Sequence, residues 1–263
     1  MISDEFNLYK ELAAFCNANS EKIETKFKRV VEFTDFNQVC YEEMFWKQRC
    51  QVPKTVKELK KIIPDLSDAY KKWAPYYLNP RNKFRKGLDI QLGQWYEKAL
   101  QQFLSTKGVT VQKKGFPYPD YVVLEGNTPI AYYEHKYIES PFLYASTQIK
   151  NTYPYDSARF DYEASLTLDT GNKIKNQRPK IEQDILPLGI PVHYIWWFDC
   201  FHIKGLFAYP AEKVFDYYDH LNGSIHVRRT REGDTEAHQE IEKIYPPLLE
   251  MTTFSEYLNT VLK

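Results

Sequence analysis

The chain has 263 residues, and its 35 Lys and Arg residues balance its 35 Asp and Glu residues to a formal net charge of zero. Aromatic residues make up 16% of it, which excludes a disordered or low-complexity protein. Its 4 cysteines are irregularly spaced, without a Cys-x-x-Cys pair, which excludes a disulfide framework and a zinc knuckle. No secretion signal opens the sequence, and no apolar run is long enough to cross a bilayer. We therefore expect a soluble, cytoplasmic globular protein with no membrane partner.

Apolar residues recur every three or four positions in the first part of the chain, and this period predicts helices over residues 4–75. A turn is predicted where Asn79-Pro80-Arg81-Asn82 follows. We expect a helical lobe at 1–80 and a second domain at 81–263, packed as one compact unit.

The segment 54–86 is basic, with 10 Lys or Arg residues against 3 acids. Lys83, Arg85 and Lys86 lie at its end. A face that contacts phosphates and a face that is only solvated are both compatible with this composition.

The central part of the chain predicts one helix followed by three strands. Apolar spacing indicates a helix at Leu88–Ser105, which Gly108 ends. The strands are expected at 109–111, 121–124 and 128–137, and Glu125-Gly126-Asn127 is predicted to form a hairpin turn.

The second half predicts a return to the same sheet. Lys173–Leu186 is compatible with a helix if Pro179 lies near its start or kinks it. The almost unbroken apolar run Pro191–Phe198 is typical of a strand covered on both faces. A neighbouring strand at 203–209 and helices at 211–221 and 245–263 follow. This order predicts an α/β fold with a mixed β-sheet flanked by helices.

One constellation carries chemistry: Tyr118-Pro119-Asp120, then thirteen residues, then Glu134-His135-Lys136. On a strand, Glu134 and Lys136 project from the same face while His135 points away. The hairpin would bring Asp120 opposite Glu134. Two carboxylates and an amine around one point suit metal-assisted phosphodiester cleavage.

The tripeptide Asp/Glu-x-Lys alone has little meaning, because it also occurs at 24–26 and 58–60, in segments predicted to be helical. Only Glu134-His135-Lys136 follows a Pro-Asp pair on adjacent predicted strands. The alternative is a surface hairpin with an incidental Glu134–Lys136 pair.

Pro119-Asp120 and Glu134-His135-Lys136 resemble the motif of the PD-(D/E)XK nuclease superfamily, over a core at about 88–210 with the restriction-endonuclease-like fold. The resemblance implies that Asp120 and Glu134 bind Mg²⁺, for which Mn²⁺ would substitute, and that the His135 backbone carbonyl adds a ligand. Lys136 would orient or deprotonate the attacking water. Glu97 lies where members often carry another acid, although a solvent-facing carboxylate paired with a lysine explains it equally well.

Within the superfamily the chain looks most like a type II restriction endonuclease. This implies a homodimer that cuts double-stranded DNA at specific sites, leaves 5′-phosphate ends, and is accompanied in the cell by a cognate DNA methyltransferase. Basic and amide side chains suit contacts to phosphates and bases, although a plain polar loop would look similar. The expected DNA contacts are Lys83, Arg85, Lys86, Lys173, Lys175, Asn176, Gln177 and Arg178.

Two other functions remain open at this point. The first is a DNA repair, recombination or mobile-element nuclease of the same fold, which would prefer mismatches, junctions or flaps to one short sequence. The second is a DNA-binding protein without catalysis, in which the Glu134–Lys136 pair is only structural.

Overall fold

A computed structural model describes residues 2–19, 32–51, 54, 56–69, 71–72, 88–138, 168–220, 226–227, 242–244 and 246–261. No helix within these residues is both long enough and apolar enough to cross a membrane. The longer α-helices are α1 (Ile2–Ala18), α2 (Asp35–Met44), α3 (Val56–Ile62), α4 (Leu88–Thr106), α5 (Ala211–Asp219) and α6 (Phe254–Val261).

The strands form two sheets. The larger one has the order β1 (Thr110–Lys113), β2 (Tyr121–Glu125), β3 (Thr128–Ile138), β5 (Val192–Asp199), β6 (Lys204–Pro210) and β9 (Thr252–Thr253). It is mixed, because β3 and β5 are parallel while all its other neighbours are antiparallel. The smaller sheet has the order β4 (Leu168–Asp169), β8 (Glu242–Ile244) and β7 (His226–Val227).

Strong local signals fix the β2–β3 hairpin. Gly126 has a φ of 60° in the turn, a left-handed conformation that glycine adopts without steric cost. Tyr121 pairs with Tyr133 across the ladder. Gly108, with a φ of 79°, follows the end of α4 as predicted.

Helices cover both faces of the larger sheet, as the α/β prediction requires. One face carries a core with residues of α1, α4 and α6, which pack against Tyr133, Ile195 and Trp197 of the sheet. The other face carries a core with residues of α2, α3 and α5, which pack against Tyr194 and Trp196. Successive residues of β5 thus enter opposite cores, which confirms that this strand is covered on both faces.

The parallel β3–β5 pair needs a crossover connection, and its described part is a helical segment at 170–188. The sequence allowed a helix here with Pro179 near its start or at a kink, and the segment is helical but irregular. An α-helical turn at Gln177–Lys180 lies between wide π-type turns at Thr170–Asn176 and Ile181–Ile185, and Leu186–Leu188 is 3₁₀. Pro179 lacks the N–H that a regular helix interior uses. Ile174 and Ile181 are buried in the same core as Tyr194, and they pack the segment against the sheet.

The predicted C-terminal helix is also too long. After Pro246 and Pro247 the chain forms a 3₁₀ turn and the short strand β9, and α6 begins only at Phe254. Each proline disfavours helical backbone in the residue before it, and neither proline has a backbone N–H to donate to a helical hydrogen bond.

The first helices pack directly on the larger sheet. The Tyr9 hydroxyl donates to the Phe198 carbonyl at 3.2 Å and accepts from the Trp197 indole N–H at 3.1 Å. Tyr41 of α2 stacks on Phe207 with the ring centroids 5.8 Å apart. The domain boundary at residue 80 stays a prediction.

Candidate active site

Asp120, Glu134 and Lys136 lie together where the β2–β3 hairpin brings its strands side by side. The Asp120 backbone N–H donates to Glu134 Oε2 at 3.2 Å, and the His135 backbone N–H donates to Asp120 Oδ2 at 3.0 Å. Each carboxylate therefore accepts from a backbone N–H across the hairpin, and these two bonds hold Asp120 next to β3. This is the juxtaposition that the hairpin predicted.

The loop before Asp120 is fixed at both ends. The Lys114 N–H donates to the Asp120 carbonyl at 2.8 Å, and the Tyr118 N–H donates to the Gly115 carbonyl at 3.1 Å. The Tyr118 carbonyl also accepts from Gln177 Nε2 at 3.3 Å. These bonds restrain the backbone at Asp120 and keep this residue next to the hairpin.

Glu134 is fully buried, with 0% of its surface exposed. A buried carboxylate needs compensation, because removing an ion from water is costly. Lys136 Nζ lies 3.5 Å from Glu134 Oε1, Lys173 Nζ forms an ion pair with the same oxygen, and Gln177 Nε2 donates to Oε2 at 3.0 Å. Glu134 thus has two lysines and an amide as partners.

The two lysines differ in their electrostatics. Burial and then repulsion by Lys173 lower the pKa of Lys136, against the attraction of Glu134 and Asp120. Burial also lowers the pKa of Lys173, but the attraction of Glu134 and Asp120 outweighs it and leaves that pKa raised. Lys136 is therefore the amine that loses its proton more easily.

His135 points to the other face, as the strand period predicted. Its ring is buried and meets Trp197 edge to face at 6.2 Å between centroids. Burial and then repulsion by Lys136 lower its pKa to about 3, so the ring is neutral near pH 7. The ring takes no part in the site, and only the backbone carbonyl of His135 stays a predicted ligand.

Glu97 on α4 forms an ion pair with Lys113 at 3.0 Å. Its negative charge is among the smaller causes that raise the pKa of Lys173, so its field reaches the site. Its role as a metal ligand stays a prediction.

The predicted DNA contacts have varied surroundings. Lys83, Arg85 and Lys86 lie outside the described residues. Lys173 and Gln177 face Glu134, and Gln177 is only 1% exposed. Lys175 pairs with Glu242 at 2.8 Å, and Arg178 pairs with Asp219 at 2.6 Å and Glu182 at 2.8 Å, whereas Asn176 is exposed. Their contacts with DNA stay predictions.

The sequence did not reveal that Lys173 and Gln177 belong beside Glu134. Their spacing of four puts them on one side of a helical turn, next to the buried Ile174 and Ile181. The spacing of four was the signal available in the sequence. That this side of the segment lies over β3 follows only from the geometry of the crossover connection.

Asp120, Glu134 and the His135 carbonyl offer the oxygen ligands that a hard divalent cation prefers. Within the described part of the chain, no group of three or more His, Cys, Asp or Glu side chains could hold a metal. The two carboxylates nevertheless fit such an ion in their chemistry, because each accepts from the backbone N–H of Asp120 or His135 at the same place in the hairpin. Backbone oxygen and water would have to complete the coordination.

Comparison with known proteins finds no matching family model and no matching curated protein. Among solved structures, the chain is similar to a Holliday junction resolvase from the hyperthermophilic archaeon Archaeoglobus fulgidus. The match is 15% identical, covers 64% of this chain and 96% of the resolvase, and has a TM-score of 0.34. Asp120, Glu134 and Lys136 are therefore the residues whose arrangement indicates what the site can do.

Proposed function

We propose that this chain is a Mg²⁺-dependent endodeoxyribonuclease. The observation that supports it is the hydrogen-bonded pair of Asp120 and Glu134, with Lys136 beside Glu134. Hydrolysis of a phosphodiester requires a cation held by carboxylates and a group that takes a proton from water. These side chains supply both within one hairpin.

Asp120, Glu134 and the His135 carbonyl would hold Mg²⁺, and Mn²⁺ would replace it. When bound, the ion supplies Lewis-acid polarisation of the phosphate and neutralises its developing charge. Lys136 Nζ orients the attacking water and accepts its proton. The water oxygen bonds to phosphorus while the bond to the 3′ oxygen breaks, and the leaving 3′ oxygen takes a proton from solvent. The products are a 5′-phosphate and a 3′-hydroxyl.

Our more specific proposal is a type II restriction endonuclease in a restriction-modification system. It is supported by the single-chain size and the elaborations around the motif, which resemble that group. Cleavage of both strands at a two-fold symmetric site would require a homodimer with two active sites, and a cognate DNA methyltransferase would protect the host DNA. We further propose a cytoplasmic enzyme, because the irregular spacing of the four cysteines fits a reducing compartment.

One observation favours a repair, recombination or mobile-element nuclease instead. Phe116, four residues before Asp120, is 66% exposed, and the exposed Lys114 lies two residues before it in the sequence. Aromatic rings stack on unpaired bases with about 1–3 kcal/mol each. If this candidate is correct, Phe116→Ala weakens cleavage of junctions, flaps or mismatches more than cleavage of intact duplex. Leu188→Ala, which removes another exposed apolar side chain, is the control.

The test of the main proposal is incubation of purified protein with unmethylated phage DNA, a four-way junction and a mismatched duplex, with millimolar Mg²⁺ or with EDTA. Glu134→Gln should abolish cleavage, and Asp68→Asn, which changes an exposed carboxylate, should not. Discrete fragments would support a restriction enzyme, and selective cutting of branched DNA would support the second candidate. Binding of DNA without any cleavage would refute both and favour a non-catalytic protein.

A further inference from the structure

The proposed site holds more positive charge than Glu134 alone requires. Two carboxylates, Asp120 and Glu134, face the amines of Lys136 and Lys173, and with both amines protonated the four charges cancel. Gln177 satisfies the second oxygen of Glu134. A divalent cation would therefore enter a site whose negative charge is already neutralised.

Lys173 reaches Glu134 from outside the hairpin. It lies in the 170–188 segment, where its carbonyl accepts from the Tyr194 hydroxyl at 3.3 Å and the neighbouring Ile174 is buried. Its side chain is 17% exposed, so a path to solvent exists. The backbone is thus anchored, while the long side chain has other rotamers available.

Lys136 and Lys173 have different attachments. Lys136 lies on the same strand as Glu134, two residues along, so the backbone of β3 keeps it beside the carboxylate. Lys173 is held to Glu134 Oε1 through its ammonium, whereas the Asp120 N–H and the Gln177 amide both donate to Oε2, so Oε1 is the oxygen left for a cation. A cation bound to Glu134 would lie close to the Lys173 ammonium, and two positive charges that close together repel each other strongly.

We propose that Lys173 is a tethered counter-ion that competes with the divalent cation for Glu134 and leaves this carboxylate when the cation binds. The inference rests on the proposed role of Asp120 and Glu134 as metal ligands. In the metal-free protein, Lys173 stabilises the buried carboxylate. Once released, its ammonium group stays next to the site through the anchored segment, and it is then available to the phosphate of the substrate.

The test measures binding of Mn²⁺ to the DNA-free protein by electron paramagnetic resonance of the free ion. Lys173→Gln keeps a donor for Glu134 but removes the charge, and it should bind Mn²⁺ about tenfold more tightly, within the usual range of coupling between two ligands. Lys173→Arg keeps the charge. Lys180→Gln removes a charge from the same segment, where Lys180 pairs with Asp184 at 3.2 Å. Both controls should stay close to wild type.

Equal or weaker Mn²⁺ binding by Lys173→Gln, with wild type binding the ion, would overturn this inference alone. No binding by wild type, or binding that survives in Asp120→Asn, would overturn the proposed metal site and the inference with it. A second measurement needs no variant: an amine-reactive label, located by mass spectrometry, should modify Lys173 of wild type faster when Mn²⁺ is present. A rate that is unchanged or slower would contradict release of the ammonium.

Discussion

Glu5 on α1 gives the fold a pH dependence that can be measured apart from function. Its side chain is 2% exposed, and its Oε2 accepts from the Ser255 backbone N–H at 2.8 Å, at the start of α6. Burial raises its pKa from 4.5 to about 7 in spite of the bonds from Ser255.

The sign follows from proton linkage. Between pH 4.5 and 7 the folded protein keeps a proton on Glu5 that the unfolded chain has already released. The free energy of unfolding therefore falls as pH rises through this window, and the whole cost is present above pH 7. At about 1.4 kcal/mol for each pH unit, a pKa raised from 4.5 to about 7 corresponds to about 3.5 kcal/mol.

Glu5→Gln removes this titration and keeps an oxygen for the Ser255 N–H. Relative to wild type, the variant should gain about 2.5 kcal/mol of stability between about pH 5 and about pH 8, measured by urea unfolding at both values. Glu11→Gln is the control, because Glu11 on the same helix is exposed and pairs with Lys107. A stability difference that is the same at both pH values, or that shrinks as pH rises, would refute the reasoning.

Three further predictions concern single side chains. Tyr96→Phe removes the hydroxyl that donates to the buried Asp199 Oδ2 and should cost about 1–3 kcal/mol in urea unfolding, whereas an unchanged midpoint would contradict this. Gly126→Ala places a Cβ at a φ of 60° and should destabilise the hairpin by roughly 1–2 kcal/mol, while Gly93→Ala, in the interior of α4 with open space around it, should stabilise by roughly 0.5–1 kcal/mol. The same sign for both glycines would show that backbone conformation does not decide the effect. Lys136→Arg keeps the positive charge but has no accessible neutral form, so single-turnover cleavage should fall by roughly 100-fold or more, and near-normal cleavage would exclude Lys136 as the proton acceptor.

The sequence was most informative where one local rule dominates. Gly126 between two alternating runs defined the hairpin, and the hairpin then brought Asp120 next to Glu134. The almost unbroken apolar run at 191–198 predicted a strand with a core on each face, because such a run is typical of a strand buried on both sides. The same rules gave the mixed sheet and its flanking helices.

Elements held by tertiary contacts could not be predicted in this way. β4 and β7 contain two residues each, too few for any period to be visible. Pro179 indicated that a helix at 173–186 would start or kink there, but the wide turns before and after Gln177–Lys180 could not be predicted, because such turns have no composition signal of their own. The ion pair of Lys173 with Glu134 joins residues far apart in sequence, and a lysine in a polar segment favours solvent exposure by default.

The most direct test of the central claim is cleavage by wild type and by Asp120→Asn, each purified in the same way and tested with Mg²⁺ and with EDTA. Asparagine keeps the size of Asp120 and an oxygen that accepts from the His135 N–H, so thermal unfolding should show that the fold survives. We predict Mg²⁺-dependent cleavage by wild type and none above background by Asp120→Asn. Cleavage by Asp120→Asn at the wild-type rate, with the same need for Mg²⁺, would contradict the account.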